Sequence, residues 1–179
     1  MVHFGKDLRY NKGRIFIQNI TKKEQLIVFR YVHTNIIAQN AGKLIDFYKT
    51  VLHCRSINET RDLSGAWLDN LTCLTNAHIC GEHLLLPGYE GDHPTLEIFS
   101  YDEMKEYLPA EINRPGIAHI AFEVDDVEDT LSEILRAGGS TVGEVVTAAY
   151  PNNTEAVFVY ACDPEGNILE LQSWRKRKI

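Results

Sequence analysis

Laid against itself, the 179-residue chain repeats once, and that repeat limits the fold to a pair of like modules. Residues 31–37 (YVHTNII) run into a helix-like stretch at 41–52, and residues 116–124 (GIAHIAFEV) run into another at 127–137. Each half thus opens with a short β-prone run holding one histidine. An offset of 86 residues places His33 on His119, Ala41 on Val127, Ile45 on Leu131 and Tyr48 on Ile134. Apolar steps of four and then three mark one face of a helix. The second helix is bounded by Asp125 and Asp126, an acidic start, and by Gly138 and Gly139, a stop.

The halves agree again further on. Residues 95–99 (TLEIF) and 168–172 (ILELQ) each set one glutamate, Glu97 or Glu170, inside an apolar strand that follows a turn. The turns, 87–94 (PGYEGDHP) and 163–167 (DPEGN), consist of residues that fix turn geometry. Further strands are expected near 66–68, 78–86, 141–146 and 156–160. Each half reads strand, helix and then about three strands, which makes an α+β domain over residues 27–174 with modules at 27–104 and 115–174. Residues 1–26 have no counterpart and form an N-terminal extension, with an added strand through Ile15, Phe16 and Ile17. Residues 175–179 are a basic tail.

Charge is unevenly spread along this plan. The net −7 combines six basic and two acidic residues in 1–26, four basic residues in 175–178, and eight basic against 23 acidic residues in 27–174. A body at −15 grips a phosphate backbone poorly, so no nucleic-acid partner is expected. The basic ends read as solvated termini. No apolar run approaches the roughly 18 residues of a bilayer span, and residues 1–10 lack the apolar core of a signal peptide. The expectation is a cytoplasmic protein with no membrane partner. Cys54, Cys73, Cys80 and Cys162 form no C-x-x-C pair and read as small buried hydrophobes in a reducing compartment.

The repeat singles out four residues of metal-ligand type: His33, Glu97, His119 and Glu170. A charged glutamate between Leu96 and Ile98, or between Leu169 and Leu171, is costly to bury without a partner. Strand alternation offers a plainer account, in which both carboxylates simply face solvent. Recurrence of both residue types at matching places in both halves favours a shared site, and a pseudo-twofold pairing of the halves would bring all four to one point. Two imidazole nitrogens and two carboxylate oxygens suit Ni²⁺, Zn²⁺ or Co²⁺, with Mn²⁺ and Fe²⁺ in the same class. On a six-coordinate ion they leave two positions for water or for two substrate oxygens. His53, His78, His83 and His93 have no repeat partner and stay outside this set.

Residues 163–170 (DPEGNILE), 116–122 (GIAHIAF), 96–98 (LEI), and 32–34 (VHT) followed by 44–52 (LIDFYKTVL) carry a resemblance to the vicinal oxygen chelate superfamily, the glyoxalase/bleomycin resistance/dioxygenase group. It covers about residues 27–174. The resemblance implies two βαβββ modules forming a U-shaped, partly closed sheet around a metal site. It places His33, Glu97, His119 and Glu170 on the ligand positions of bacterial glyoxalase I (lactoylglutathione lyase). It also implies a homodimer, with the site within one chain or shared between two, and a small-molecule substrate.

The chemistry implied is that of a Lewis acid holding two vicinal oxygens and stabilising the enediolate left when a neighbouring C–H loses its proton. Glu170 is then the favoured general base and Glu97 its partner on the opposite face. Proton exchange on one face gives a lyase or isomerase of glyoxalase I type; exchange on two faces gives an epimerase of methylmalonyl-CoA type, which commonly has Gln where Glu97 stands. An Fe²⁺ dioxygenase and a non-catalytic drug-binding protein are the other readings. A fourth ligand argues against the former, and relatives of the latter kind usually lack the ligands. Glutathione contacts are missing, because Ile37 and Tyr101 stand where glyoxalase I has Arg and Asn. Arg30, Arg55, Arg61 and Arg114 are alternative anion contacts, with a solvated or ion-paired surface role the simpler account of each. Residues 64–72 are a candidate cover for one end of the cavity, in which Trp67 reads as a hydrophobic anchor.

Overall fold

The computed structural model describes residues 9–11, 14–16, 29–91 and 93–177. The chain divides into two units, Met1–Val32 and His33–Ile179. In the first, β1 (Arg9–Asn11) pairs antiparallel with β2 (Arg14–Phe16). Ile17, expected in that strand, lies outside the described residues.

The second unit holds two open sheets built on one plan. The first module runs β3 (His33–Ile37), α1 (Ala41–Thr50), β4 (Arg55–Ser64), α2 (Ala66–Thr72), β5 (His78–Leu85) and β6 (Thr95–Tyr101), with sheet order β3-β6-β5-β4. The second runs β7 (Ile120–Glu123), α3 (Val127–Arg136), β8 (Ser140–Thr141), β9 (Val146–Tyr150), β10 (Thr154–Cys162) and β11 (Ile168–Lys176). Its order is β7-β11-β10-β8, and β9 also pairs with β10. In both modules the first strand lies parallel to the last and the remaining pairs are antiparallel. The two-module α+β architecture is therefore as the sequence implied.

Local chemistry sets the helices. Asn40 caps α1 by accepting from Lys43 N at 3.0 Å, and Asp126 caps α3 by accepting from Asp129 N at 2.9 Å. Buried Ala41, Leu44, Ile45, Phe47 and Tyr48 give α1 one apolar face. Behind α3, Gly138 takes φ +91, and a Cβ on Gly139 would lie 2.3 Å from the Cys162 carbonyl oxygen. Residues with side chains fit neither position.

Several expectations need correction. Residues 66–68, expected as a strand, open α2: Gly65 at φ +111 turns the chain, and Leu68 packs with Ala77, Ile79 and Phe99. A short apolar run fits either period, and here the turn decides. Residues 142–145 lie between two short strands, β8 and β9, instead of continuing one. The charged stretch Arg55–Ser64 forms β4, an edge strand that the apolar pattern did not disclose. Trp67, expected as a hydrophobic anchor, is 55% exposed. Cys54 is buried, and burial pushes its thiol up to about 12, but Cys73 and Cys80 are exposed. Strand alternation puts Cys80 on the side opposite its buried neighbours Ile79 and Gly81. β11 continues to Lys176, so Arg175 and Lys176 are strand residues, and Arg175 Nε meets Glu155 Oε1 at 2.6 Å.

One core runs continuously through both modules. It includes Ile36, Leu84, Leu96 and Ile98 of the first sheet, Phe122, Val159, Leu169 and Leu171 of the second, and the apolar faces of α1 and α3. Each sheet packs its inner face on its own helix, α1 on β5 and β6 and α3 on β10 and β11, within this shared core. A polar clamp joins them there. Asp163, 2% exposed, accepts from Tyr48 Oη at 3.2 Å, Glu165 N at 2.9 Å, Asn167 N at 3.0 Å and Asn167 Nδ2 at 2.8 Å. Glu165 reaches from the same turn to accept from Gln39 N and Asn40 N, both at 2.6 Å, just ahead of α1. Burial raises the Asp163 pKa, while its hydrogen bonds pull the other way.

Tyr48→Phe removes a donor from this buried carboxylate and is expected to destabilise the fold by about 1–3 kcal/mol. Urea unfolding checks this, and unchanged stability would show that the tyrosine does not support Asp163. His78 sits between two exposed carboxylates, Nε2 at 2.8 Å from Asp62 Oδ1 and Nδ1 at 2.9 Å from Asp102 Oδ1. Hydrogen bonds to Asp62 and then Asp102 raise its pKa. Its stabilising effect is complete below the unfolded value near 6.5 and is lost as pH rises through the raised folded value. Melting temperatures measured from pH 6 to 9 should fall more steeply for the wild-type chain than for His78→Gln.

Candidate metal centre

The two glutamates of the repeat occupy the last strand of their modules, each between residues committed to the core. Leu96 and Ile98 point inward, so Glu97 points to the outer face of the first sheet; Leu169 and Leu171 do the same for Glu170 on the second. Outward does not mean solvated here: the side chains of Glu97 and Glu170 are 17% and 18% exposed. Neighbouring strands supply what shields them.

His33 at the start of β3 brings Nε2 to 3.2 Å from Glu97 Oε2. Asn35 Nδ2 donates to the same oxygen at 3.4 Å. His83 lies directly across from Glu97 in the β5–β6 ladder, with Nε2 at 3.6 Å from Glu97 Oε1. His33, His83 and Glu97 each offer a donor atom, all within 4.8 Å of one another. Thr95 Oγ1 lies 2.6 Å from His83 Nε2. Burial is the largest influence holding the His83 pKa below its ordinary value, opposed by Glu97 and assisted by His33 and Arg61.

The second module repeats the arrangement with one change. His119, just ahead of β7, brings Nε2 to 3.4 Å from Glu170 Oε2. Its Nδ1 is buried without a hydrogen-bond partner among the described residues. Opposite Glu170 in the β10–β11 ladder stands Tyr160, whose ring centre is 5.1 Å from that of His119. Desolvation, followed by a hydrogen bond to Glu170, raises the Tyr160 pKa. Tyr160 thus holds the place that His83 holds in the first module.

Of the four residues singled out in the sequence, the chain brings His33 to Glu97 and His119 to Glu170. It does not gather the two pairs into one cluster of donors; each pair lies on the face of its own sheet that points away from the core. His83, set aside for want of a repeat partner, joins the first pair, and Tyr160 joins the second. The donors fit a borderline divalent ion: with bonds of about 2.1 Å, neighbouring ligand atoms on one ion stand roughly 3 Å apart.

Farther along the outer face of the first sheet, Ile37 and Tyr101 line a groove of about 760 Å³ with Thr72, Leu74, Met104 and Leu108. Both positions that lack glutathione contacts therefore belong to a largely apolar wall. Arg114 pairs with Glu111 at 2.8 Å on the surface.

Two βαβββ-type sheets carrying matched His–Glu pairs define a class that the comparisons specify. The chain belongs to the glyoxalase/bleomycin resistance protein/dioxygenase superfamily, whose family model matches residues 30–171. A glyoxalase family protein from Bacillus cereus is similar at 20% identity and TM-score 0.65, over 87% of this chain and 99% of that one. A glyoxalase I mutant from Zea mays is similar at 18% identity and TM-score 0.54, over 83% of this chain and 46% of that one. A glyoxylase/bleomycin resistance protein/dioxygenase domain from Frankia sp. EAN1pec is similar at 17% identity and TM-score 0.50, over 84% and 94%. No curated protein matches the chain. Among the described residues no helix is long and apolar enough to cross a membrane.

Proposed function

We propose that this chain is a metal-dependent lyase or isomerase of glyoxalase I type, acting as a homodimer in which the His33–Glu97 pair of one copy faces the His119–Glu170 pair of another. The placement of the pairs carries this reading: they occupy matched strands, their glutamates are largely shielded, and within one chain they are not gathered into one cluster of donors. β3 and β7 are both edge strands, so each pair lies beside open backbone against which a second copy can align.

His33 and His119 would hold the ion with Glu97 and Glu170. A bound divalent ion supplies Lewis-acid polarisation of two vicinal substrate oxygens, easing loss of a proton from the adjacent carbon. Glu170 takes up and returns that proton, with Glu97 across the substrate from it. Tyr160 orients Glu170 through its hydrogen bond. The apolar wall at Ile37 and Tyr101 favours a substrate whose non-reacting body is apolar, unlike the anionic glutathione.

The purified protein is expected to carry stoichiometric divalent metal, and chelation should abolish turnover of a methylglyoxal–thiol adduct, with Ni²⁺, Zn²⁺ or Co²⁺ restoring it. Metal-free protein would instead favour a binding protein, and turnover that stops without O₂ would favour the dioxygenase. Glu97→Gln and Glu170→Gln should each lose roughly 10²-fold or more in rate. After subunit exchange, an equal mixture of the two inactive variants should recover about a quarter of the wild-type rate, since one site of each mixed dimer is intact. No recovery would place the whole site within one chain.

A further inference from the structure

We propose that His83 is a third metal donor of the first module, so that His33, His83 and Glu97 of one chain form a His₂–carboxylate site before a second copy adds His119 and Glu170. This rests on the metal-dependent reading above and assigns the ion a resident module. Three adjacent strands, β3, β6 and β5, carry the three side chains side by side, and all three donor atoms lie within 4.8 Å of one another. Glu97 is central: its Oε2 faces His33 at 3.2 Å and its Oε1 faces His83 at 3.6 Å. The imidazole rings meet edge-on, with centroids 5.7 Å apart and planes at 81°, so the nitrogens approach the carboxylate from different directions. Two histidines and one carboxylate are a sufficient protein ligand set for a first-row divalent ion that keeps open positions.

The second module lacks the third donor. Tyr160 stands across from Glu170 as His83 stands across from Glu97, and a neutral phenol is a much poorer ligand than an imidazole. Three donors against two fix the ion on the first module. Five side chains and two substrate oxygens would exceed the six positions of such an ion. Glu170, from the module with fewer donors, would then be the carboxylate left to act as base.

Co²⁺ titration of the metal-free protein, followed by visible absorption and by calorimetry, tests this. His83→Gln should weaken Co²⁺ binding by roughly 10²-fold and alter the visible spectrum, whereas His119→Gln should change affinity only a few-fold. Thr95→Val removes the hydroxyl beside His83 Nε2 while keeping the ligand, and it should bind Co²⁺ at least as well as wild type. Circular dichroism and melting of His83→Gln establish that it is folded. If folded His83→Gln binds Co²⁺ like wild type while His119→Gln loses it, the inference falls and the two-plus-two ligand set stands. If the wild-type chain binds no Co²⁺, the metal-dependent reading falls and takes this inference with it.

Discussion

The buried carboxylate of Asp163 ties the two modules to each other. It belongs to the β10–β11 turn of the second module, yet one of its donors, Tyr48, comes from α1 of the first. Glu165 adds two hydrogen bonds to the backbone ahead of the same helix. Losing a partner is costly for so deeply buried a carboxylate, which favours one arrangement of the modules over sliding on their apolar surfaces. With the inner faces packed on α1 and α3, the alternation of β6 and β11 leaves Glu97 and Glu170 each on the outer face of its own sheet. The turn that looks like a family signature is thus also a structural clamp between the modules.

The outer faces are not equivalent. On the first sheet, α2 lays Leu68 over Ile79 and Phe99, closing the face beyond the histidines and building one side of the apolar groove. On the second, Tyr150, Phe158 and Trp174 cluster along the strands that lead away from Glu170, with Trp174 Nε1 donating to Gln172 at 2.8 Å. Matched backbones therefore carry different side chains at the third position of the site and beyond it. In the proposed enzyme this divergence would let the first module hold the ion and the second move the proton.

Much of this was legible in the sequence, because periodicity and repetition report directly on which residues share a face. The offset of 86 aligned His33 with His119 and the faces of α1 and α3, and the caps marked both ends of α3. His83 was not legible for a physical reason. The structural match of His83 is Tyr160 at an offset of 77, and that of Glu97 is Glu170 at 73, since the turns and strands between them differ in length. A search for like residues at one spacing cannot find an unlike residue at another. Nor does Leu-Glu-Ile reveal what covers the glutamate: alternation separates the two faces but does not say that the covering residues stand on the neighbouring strands. The polar edge strand β4 is not legible because its residues follow no apolar period.

In the proposed dimer, closing two outer faces upon each other brings Glu97 of one copy toward Glu170 of the next. Like charges confined in one partly desolvated site oppose that approach. A divalent cation converts the same juxtaposition into attraction, so ion binding and pairing of copies are coupled. The coupling is reciprocal: whatever factor the ion contributes to pairing, pairing contributes to the affinity for the ion. An ion resident on the first module would make each outer face of β3 and β6 cationic enough to accept the second module's carboxylate, which orders assembly as metal first and partner second. The acidic excess of residues 27–174 then has a local meaning at these two positions, where the charge is held against histidine instead of being dispersed in solvent.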